Sequence, residues 1–398
     1  MRRAAIVAPL RTPIGRFLGS LAPLPAERLA EHVIRALVER SGIDPARIDD
    51  VVLAQSYANS EAPCIGRWAG LAAGLPIEVP GCQVDRRCGG GLQAIVNAAM
   101  MVQSGAADVV IAGGVESMSN IEYYTTAMRG GARAGTVQFY DRLDRGRERS
   151  QPVERFGVIS GMIETAENLA TDYAITREAA DAFAAESQRR AAAAWDAGRF
   201  DDEVVAVPVP QRKGDPVQMR RDEGIRGDTT VETLAALKPL VKGGTVTAGN
   251  SSQQNDAASV CLVVAEDRLA ELDLDPFAFV VGWAAAGCDP ARMGIGPVPA
   301  VKRLFARTGI GWDDIDLVEI NEAFAVQVLA VLKGWDFDDH SRINVNGSGI
   351  SLGHPIGATG ARIMTSMLHE LRRRGGKRAL ETMCIGGGQG IAALFEAA

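Results

Sequence analysis

The feature that most constrains this chain is an internal repeat. The segment LVERSGIDPARIDDVVLAQ, starting at Leu37, recurs as LFARTGIGWDDIDLVEINE, starting at Leu304. Leu37 aligns with Leu304, Gly42 with Gly309, Ile43 with Ile310, Ile48 with Ile315, Asp49 with Asp316 and Val51 with Val318. The offset is an unbroken 267 residues (304 − 37). The repeated unit reads as the end of an amphipathic helix, a glycine stop and a strand. Two further segments follow it in the same order in each half. VDRRCGGGLQAI, from Val84, has a counterpart in GSGISLGHPIGATGARI, each a glycine-rich turn that opens a helix. Carried on from Cys88, the offset lands at position 355, beside His354. ADVVIAGG in the first half then corresponds to ALETMCIGGGQG in the second, each a strand running into glycines. Three matches in one order mark a duplicated unit.

Alternating strands and helices predict a mostly parallel sheet with helices on both faces. Two copies predict two similar α/β halves packed across a pseudo-twofold axis, with corresponding strand–helix turns facing each other near it. Cys88, His354 and Cys384 then meet, although the outer two lie 296 residues apart (384 − 88). Between the halves, roughly Ser119 to Thr247, runs a different segment. It begins polar and Arg-rich (MRGGARAGTVQFYDRLDRGRERSQPVERFG) and continues as a helical stretch (TAENLATDYAITREAADAFAAESQRRAAAAW). Asp202 to Val209 reads as an edge strand. The expected division is therefore a first half of residues 1–118 plus about 248–270, an inserted loop domain of 119–247, and a second half of 271–398.

Composition narrows the function. A chain of 398 residues that is 47% hydrophobic has ample core for two fused halves. Aromatics are only 5% and glycines number 44, so the core is built from small aliphatic side chains with close backbone approaches. A net charge of −7 and a pI near 5.4 argue against general nucleic-acid binding. No apolar run reaches membrane-spanning length. The N-terminal apolar run is interrupted by Pro9 and Arg11, which argues against a signal peptide. Six cysteines without a CxxC pair form neither a disulfide framework nor a zinc-ribbon spacing, and a reducing cytoplasm is expected.

Four motifs carry the chemistry: Cys88 with its three glycines, Asn321 in NEAFA, His354 in GHPIGATG and Cys384 in CIGGGQG. A cysteine between a strand and a helix sits at the positive end of the helix, where a thiolate is favoured. Structural readings stand beside the functional ones. Free cysteines are most often buried packing residues, and Asn321-Glu322 at a strand end could simply cap a helix. Two cysteines and a histidine allow a metal site, a redox disulfide, or a nucleophile with its base. The metal lacks local ligand spacing and a fourth ligand. The disulfide lacks a CxxC. The glycines favour the third reading, because they clear space and free backbone N–H groups for a developing oxyanion.

In this order the motifs resemble the thiolase family over essentially the whole chain. RTPIGRF, the Cys88 stretch, GGVESMS at Gly113, TAENLA at Thr165, TVTAGNSS at Thr245, NEAFA, GHPIGATGAR and CIGGG all take part. The resemblance implies a five-layered α/β/α/β/α fold built from the two duplicated halves with an inserted loop domain. It implies that Cys88 attacks an acyl-CoA thioester, that His354 takes its proton, and that backbone N–H groups of Cys88 and Gly386 hold the oxyanion. It further implies that Cys384 removes the α-proton of a second acyl-CoA, and that the enolate is stabilised by His354 and a water held on Asn321. Ser252 would bond pantetheine, Arg226 would pack on adenine, and Met162 would line the acyl or pantetheine pocket. No metal and no permanently bound cofactor is implied; coenzyme A and acetyl-CoA are substrates. The activity implied is acetyl-CoA C-acetyltransferase. Its alternatives are a 3-ketoacyl-CoA thiolase of broader chain length and a ketosynthase-like condensing enzyme. A homo-oligomer is expected, a dimer or a homotetrameric dimer of dimers joined through the RGGARAG…DRLDRG loop. Departures lie at Gly90, where the family often has Ser, at Gly161 in place of His, at SQQND from Ser252 to Asp256, and at Gln389. Those at Gly161 and Gln253 fall around the acyl and CoA pocket and leave chain-length preference open.

Overall fold

The computed structural model describes residues 2–159 and 161–398. One large sheet organises it. The first half contributes β1 (Ala4–Arg11), β2 (Asp50–Ala54), β3 (Gly81–Val84), β4 (Val109–Ser117) and β5 (Asn255–Ala265). The second contributes β6 (Pro276–Gly287), β7 (Leu317–Ile320), β8 (Arg378–Ile385) and β9 (Gln389–Ala397). Their order across the sheet is β7-β8-β9-β6-β1-β5-β4-β2-β3. From the centre outward the two sides mirror each other: β1, β5, β4, β2 on one and β6, β9, β8, β7 on the other. The centre is an antiparallel β1–β6 contact, with Ala5 opposite Phe279. This is the pseudo-twofold relation that the repeat predicts.

The sheet is mixed rather than mostly parallel. Only β2–β3, β2–β4 and β7–β8 pair in parallel; the other main-sheet pairs are antiparallel. The repeated helix–strand unit supplies the parallel pairs. The last strand of each half returns alongside the one before it. In the second half a glycine turn at residues 386–388 suffices, whereas in the first half the whole insertion intervenes between β4 and β5.

Helices cover the sheet in layers. α1 (Ala26–Ser41) and α2 (Ile65–Ala73) bury Leu29, Val33, Ile34 and Leu37 with Ile65 and Ala69 against the outer face of the first half. On the second half, α7 (Pro297–Thr308) and α8 (Ala325–Trp335) do the same with Val301, Leu304, Val328 and Val331. Sandwiched between the halves are α3 (Gly90–Ser104) and α9 (Thr359–Arg374). Their Leu92, Ile95, Val102, Ile363, Met367 and Leu371 share one core with strand residues of both sides, Ile6 and Val263 among the first and Met383 and Phe395 among the second. The result is five layers, α/β/α/β/α. Glycine sets the fit of the middle layer. A Cβ on Gly91 would stand 2.7 Å from the Ala361 nitrogen, and one on Gly360 would stand 2.2 Å from the Leu92 nitrogen. Two backbones therefore touch where both site-bearing turns begin their helices.

Between β4 and β5 lie α4 (Arg142–Glu148), α5 (Met162–Asp172) and α6 (Arg177–Asp196). The single expected helical stretch is thus two helices. The strand expected over 202–209 is confined to Val207–Val209, paired with Val217–Met219. α5 and α6 bury Leu169, Ala180 and Ala184 against Phe324, Val326 and Cys384.

Candidate active site

The Cys88 turn is built by a short strand, one tight turn and α3. Arg87 holds φ at 45°, a left-handed conformation that a non-glycine residue adopts only under constraint. Cys88 is half-buried, and the backbone N–H groups of Gly386 and of Cys88 itself act on its thiol. Burial pushes the thiol above its ordinary pKa; the Gly386 N–H, the Arg87 charge, its own N–H and the Arg147 charge pull it back only in part. The resting sulfur is therefore a thiol, not the readily ionised group expected at a helix N-terminus. The reason is the second half, which closes over the turn and dries it.

His354 leaves a buried loop of the second half. Its backbone N–H donates to Asn255 Oδ1 at 2.8 Å, and the carbonyl of Gly353 accepts from Arg362 Nη2 at 3.2 Å. The ring Nδ1 lies 2.6 Å from the Thr359 hydroxyl, and that hydroxyl donates to the Pro355 carbonyl at 2.9 Å. A hydroxyl has one hydrogen, so Nδ1 carries the ring proton and donates to Thr359. That leaves the Nε2 lone pair free to accept a proton. Burial, then the charges of Arg362 and Arg147, push the imidazole down to about 3, so it is neutral and able to accept a proton. Asn321 is fully buried behind it, its Nδ2 3.5 Å from His354 Nδ1; with the proton on Nδ1 both atoms are donors, so this is a contact and not a hydrogen bond.

Cys384 ends β8. Burial, followed by the neighbouring Cys88 and Cys288, holds its thiol well above the ordinary range. Gly386 follows in the β8–β9 turn, where a Cβ would stand 3.6 Å from Arg87 Cδ and 3.7 Å from Met162 Sδ. One cavity of about 730 Å³ is lined by Cys88, His354, Cys384 and Gly386, and also by Met162, Arg226 and Ser252. Of the eight expected site residues, Asn321 alone is not on its wall. It stands instead behind the imidazole. Asn321-Glu322 does not cap α8, whose N-cap is Phe324 with no side-chain cap. Glu322 is tied to Ser187 Oγ (2.7 Å), Asn344 Nδ2 (2.9 Å) and the Ile350 N–H (3.1 Å).

Three supporting residues were not singled out from the sequence: Thr359, Asn255 and Glu116. Glu116 accepts from the N–H groups of Ser56 (3.1 Å), Gly357 (3.0 Å) and Tyr57 (3.4 Å), which fastens the loop after β2 to the His354 turn. Burial raises its carboxyl to about 7. It lies within the GGVESMS motif, which was the available signal.

Two mirrored α/β halves meeting at a cysteine-bearing turn define a class, the duplicated α/β enzymes that work on thioesters. The thiolase N-terminal domain matches residues 4–267 and the thiolase C-terminal domain matches residues 274–397. The chain belongs to the thiolase family. It is 45% identical over 396 residues to an acetyl-CoA acetyltransferase of Chromobacterium violaceum, covering 98% of this chain and 99% of that one. The crystal structure of the Bacillus anthracis acetyl-CoA acetyltransferase superposes with a TM-score of 0.95 at 42% identity, covering 100% and 99%. Human mitochondrial 3-ketoacyl-CoA thiolase in complex with CoA gives 0.93 at 40% identity, covering 100% and 98%.

Proposed function

We propose that this chain is a CoA-dependent thiolase working as an acetyl-CoA C-acetyltransferase, interconverting two acetyl-CoA with acetoacetyl-CoA and CoA. One observation carries the reading. In a chain that aligns over 98% of its residues with an acetyl-CoA acetyltransferase, Cys88, His354, Cys384 and Gly386 line a single cavity. The Cys88 thiol passes its proton to His354 Nε2 and attacks the thioester carbonyl. The two N–H groups that now face the sulfur, of Cys88 and Gly386, hold the oxyanion. CoA leaves with the proton from His354, and the acyl group stays on Cys88. Cys384 then removes the α-proton of a second acetyl-CoA, and the carbanion attacks the acyl-cysteine. His354, with Asn321 behind it, faces the enolate oxygen. In cleavage the steps run backward, and a Cys384 held as a thiol is the acid that protonates the departing acetyl unit. Covalent catalysis of this kind divides one difficult carbon–carbon step into two.

Ser252, Arg226 and Met162 serve the CoA arm in this proposal, since all three line the same cavity. The segment 119–247 is the loop domain between two halves of 1–118 with about 248–270 and 271–398. Its exposed Tyr123, Met128 and Phe139 are the surface through which we expect copies to assemble as dimers or dimers of dimers. A cytoplasmic location fits six unpaired cysteines, and among the described residues no helix is long and apolar enough to cross a membrane. The test is CoA-dependent cleavage of acetoacetyl-CoA beside longer unbranched 3-ketoacyl-CoA substrates. Acetoacetyl-CoA should be turned over best; equal or better turnover of the longer substrates would replace this reading with a broad-range thiolase.

A further inference from the structure

Arg362, on α9, is 1% exposed and makes a single hydrogen bond, from Nη2 to the Gly353 carbonyl at 3.2 Å. Its Nε and Nη1 have no hydrogen-bond partner, and it forms no ion pair with any described residue. A guanidinium keeps its proton inside a protein. Arg362 is therefore a buried positive charge without a countercharge in contact, an arrangement that costs stability. The other arginine buried to this degree among the described residues, Arg11, is met directly by Glu203 and Asp222.

The one bond of Arg362 falls on the peptide that leads into His354. The N–H of that same peptide donates to Asn255 Oδ1 at 2.8 Å, and Asn255 Nδ2 is anchored on the Gly15 carbonyl at 3.0 Å. The peptide is thus gripped at its carbonyl and at its N–H from opposite halves of the molecule. Gly353 turns there at φ 121°, and a Cβ on it would stand 2.7 Å from Asn255 Cγ, so only glycine fits between the two grips.

The acids around Arg362 leave its charge standing. Glu319 on β7 and Glu381 on β8 are register partners in a parallel pair, so their side chains leave the same face of the sheet side by side. Both are buried, and neither oxygen of Glu381 has a partner. Burial holds both carboxyls well above the ordinary range, and the Arg362 charge draws them back only in part. Arg11 on β1, Asp222 in the insertion and Glu322 after β7 also act on Arg362, while Glu203 and Glu370 act on Glu319. Each is committed elsewhere: Arg11 to Asp222 and Glu203, Glu322 to Ser187 and Asn344, and Glu370 to Arg199, Arg373 and Arg374. The ring of His354 faces Arg362 on one side and the cavity on the other, where Arg147 of α4 and the two thiols share the wall.

We infer that Arg362 is a positioning residue for the base: its hydrogen bond fixes the peptide that carries His354, and its unanswered charge keeps the imidazole uncharged. The inference rests on the thiolase reading for the use made of His354, but its first measurement needs no substrate.

That measurement follows the four histidines, labelled in their imidazole nitrogens, by NMR as the pH is lowered. In the wild type His354 should remain one neutral tautomer, protonated on Nδ1. Arg362→Gln keeps a donor for the Gly353 carbonyl and removes the charge. It should raise the pH at which the ring takes up a proton by about 1–3 units, the worth of one close charge. The burst of CoA released from acetyl-CoA should gain an acid limb at the same pH. Arg362→Met, equally uncharged, takes its place if the glutamine variant does not fold. Arg362→Lys keeps a cation and loses the fork, so the ring should stay neutral while the burst slows at every pH by about tenfold or more, as misplacement of a reacting group does. An unshifted ring in the uncharged variants, with a burst lowered equally at every pH, is the behaviour of a merely structural arginine and would overturn the inference. A ring that shifts as expected in an enzyme that releases no CoA from acetyl-CoA would uphold the hold of Arg362 on His354 and overturn the thiolase reading instead.

Discussion

At the scale of residues, the site combines two suppressed thiols with a neutral imidazole. His354, pushed down to about 3, stays uncharged through the whole physiological range. Cys88, pushed up by burial, stays protonated. In the proposed reaction the pair at rest is thus thiol and imidazole, and its proton moves only when a thioester is bound. The burst of CoA released from acetyl-CoA should accordingly run at a rate that is flat between about pH 5 and 8. A limb near the ordinary imidazole value of 6.5 would contradict the depressed histidine. The same shift acts on stability. Between about 3 and 6.5 the unfolded chain binds a proton at residue 354 that the folded chain refuses. This contribution is therefore present above 6.5 and is lost as pH falls through that window. Glu116, raised from 4.5 to about 7, acts in the opposite sense and contributes below 4.5. Urea titrations from pH 7 to 4 should show a smaller loss of stability in His354→Asn than in the wild type. The two cysteines are separable by function. Cys384→Ala should keep the burst while lowering steady-state cleavage of acetoacetyl-CoA by about a hundredfold or more, the worth of a positioned acid. Equal activity in both assays would remove Cys384 from the chemistry. Cys88, His354 and Cys384 could be picked out from sequence because each sits among glycines that serve no ordinary helix or strand. Thr359 could not. A hydroxyl at the start of a helix reads as a cap, and its hold on Nδ1 exists only once the loop before it has folded back.

At the scale of elements, the glycines of the two turns have a meaning that the sequence did not reveal. They were read as room for substrate. Gly91 and Gly360 instead let α3 and α9 touch backbone to backbone, which brings the Cys88 and His354 turns within one cavity. Gly360→Ala would place a methyl 2.2 Å from the Leu92 nitrogen and should cost about 1–3 kcal/mol in urea unfolding, as overpacking of a rigid core does. Gly311→Ala, where an added Cβ meets nothing within 4 Å, is the control and should change stability little. A neutral Gly360→Ala would mean that the middle layer is not tightly set. Periodicity located the helices and strands of the repeat well, because both faces of each unit are dictated by burial. It failed on strand direction. Whether β5 and β9 return antiparallel depends on what lies between strands, and no local pattern in either strand encodes that.

At the scale of the molecule, the duplicated sequence produces a palindromic sheet and brings one candidate site turn from each half together where α3 and α9 meet between the halves. The insertion is bound to this frame by charge. Arg11, in the RTPIGRF motif, is fully buried; Nη1 and Nη2 reach the carboxylate of Asp222 at 2.8 and 3.1 Å, and Nε reaches Glu203 at 2.6 Å. Removing one member of a buried ionic cluster leaves the others uncompensated, so Arg11→Met should cost about 3–5 kcal/mol by denaturant unfolding. A variant as stable as the wild type would show that the insertion is held otherwise. The motif was visible in sequence but its reason was not, since both partners lie some two hundred residues downstream in a segment with no repeat to align. The central claim concerns Cys88, and intact-protein mass spectrometry tests it most directly after rapid mixing with acetyl-CoA alone. The wild-type enzyme and Cys384→Ala should each gain one acetyl group per chain, mapped to the Cys88 peptide, with a matching release of CoA, and Cys88→Ala should gain none. An acetyl group on another residue, or turnover without any acyl-enzyme, would contradict the account.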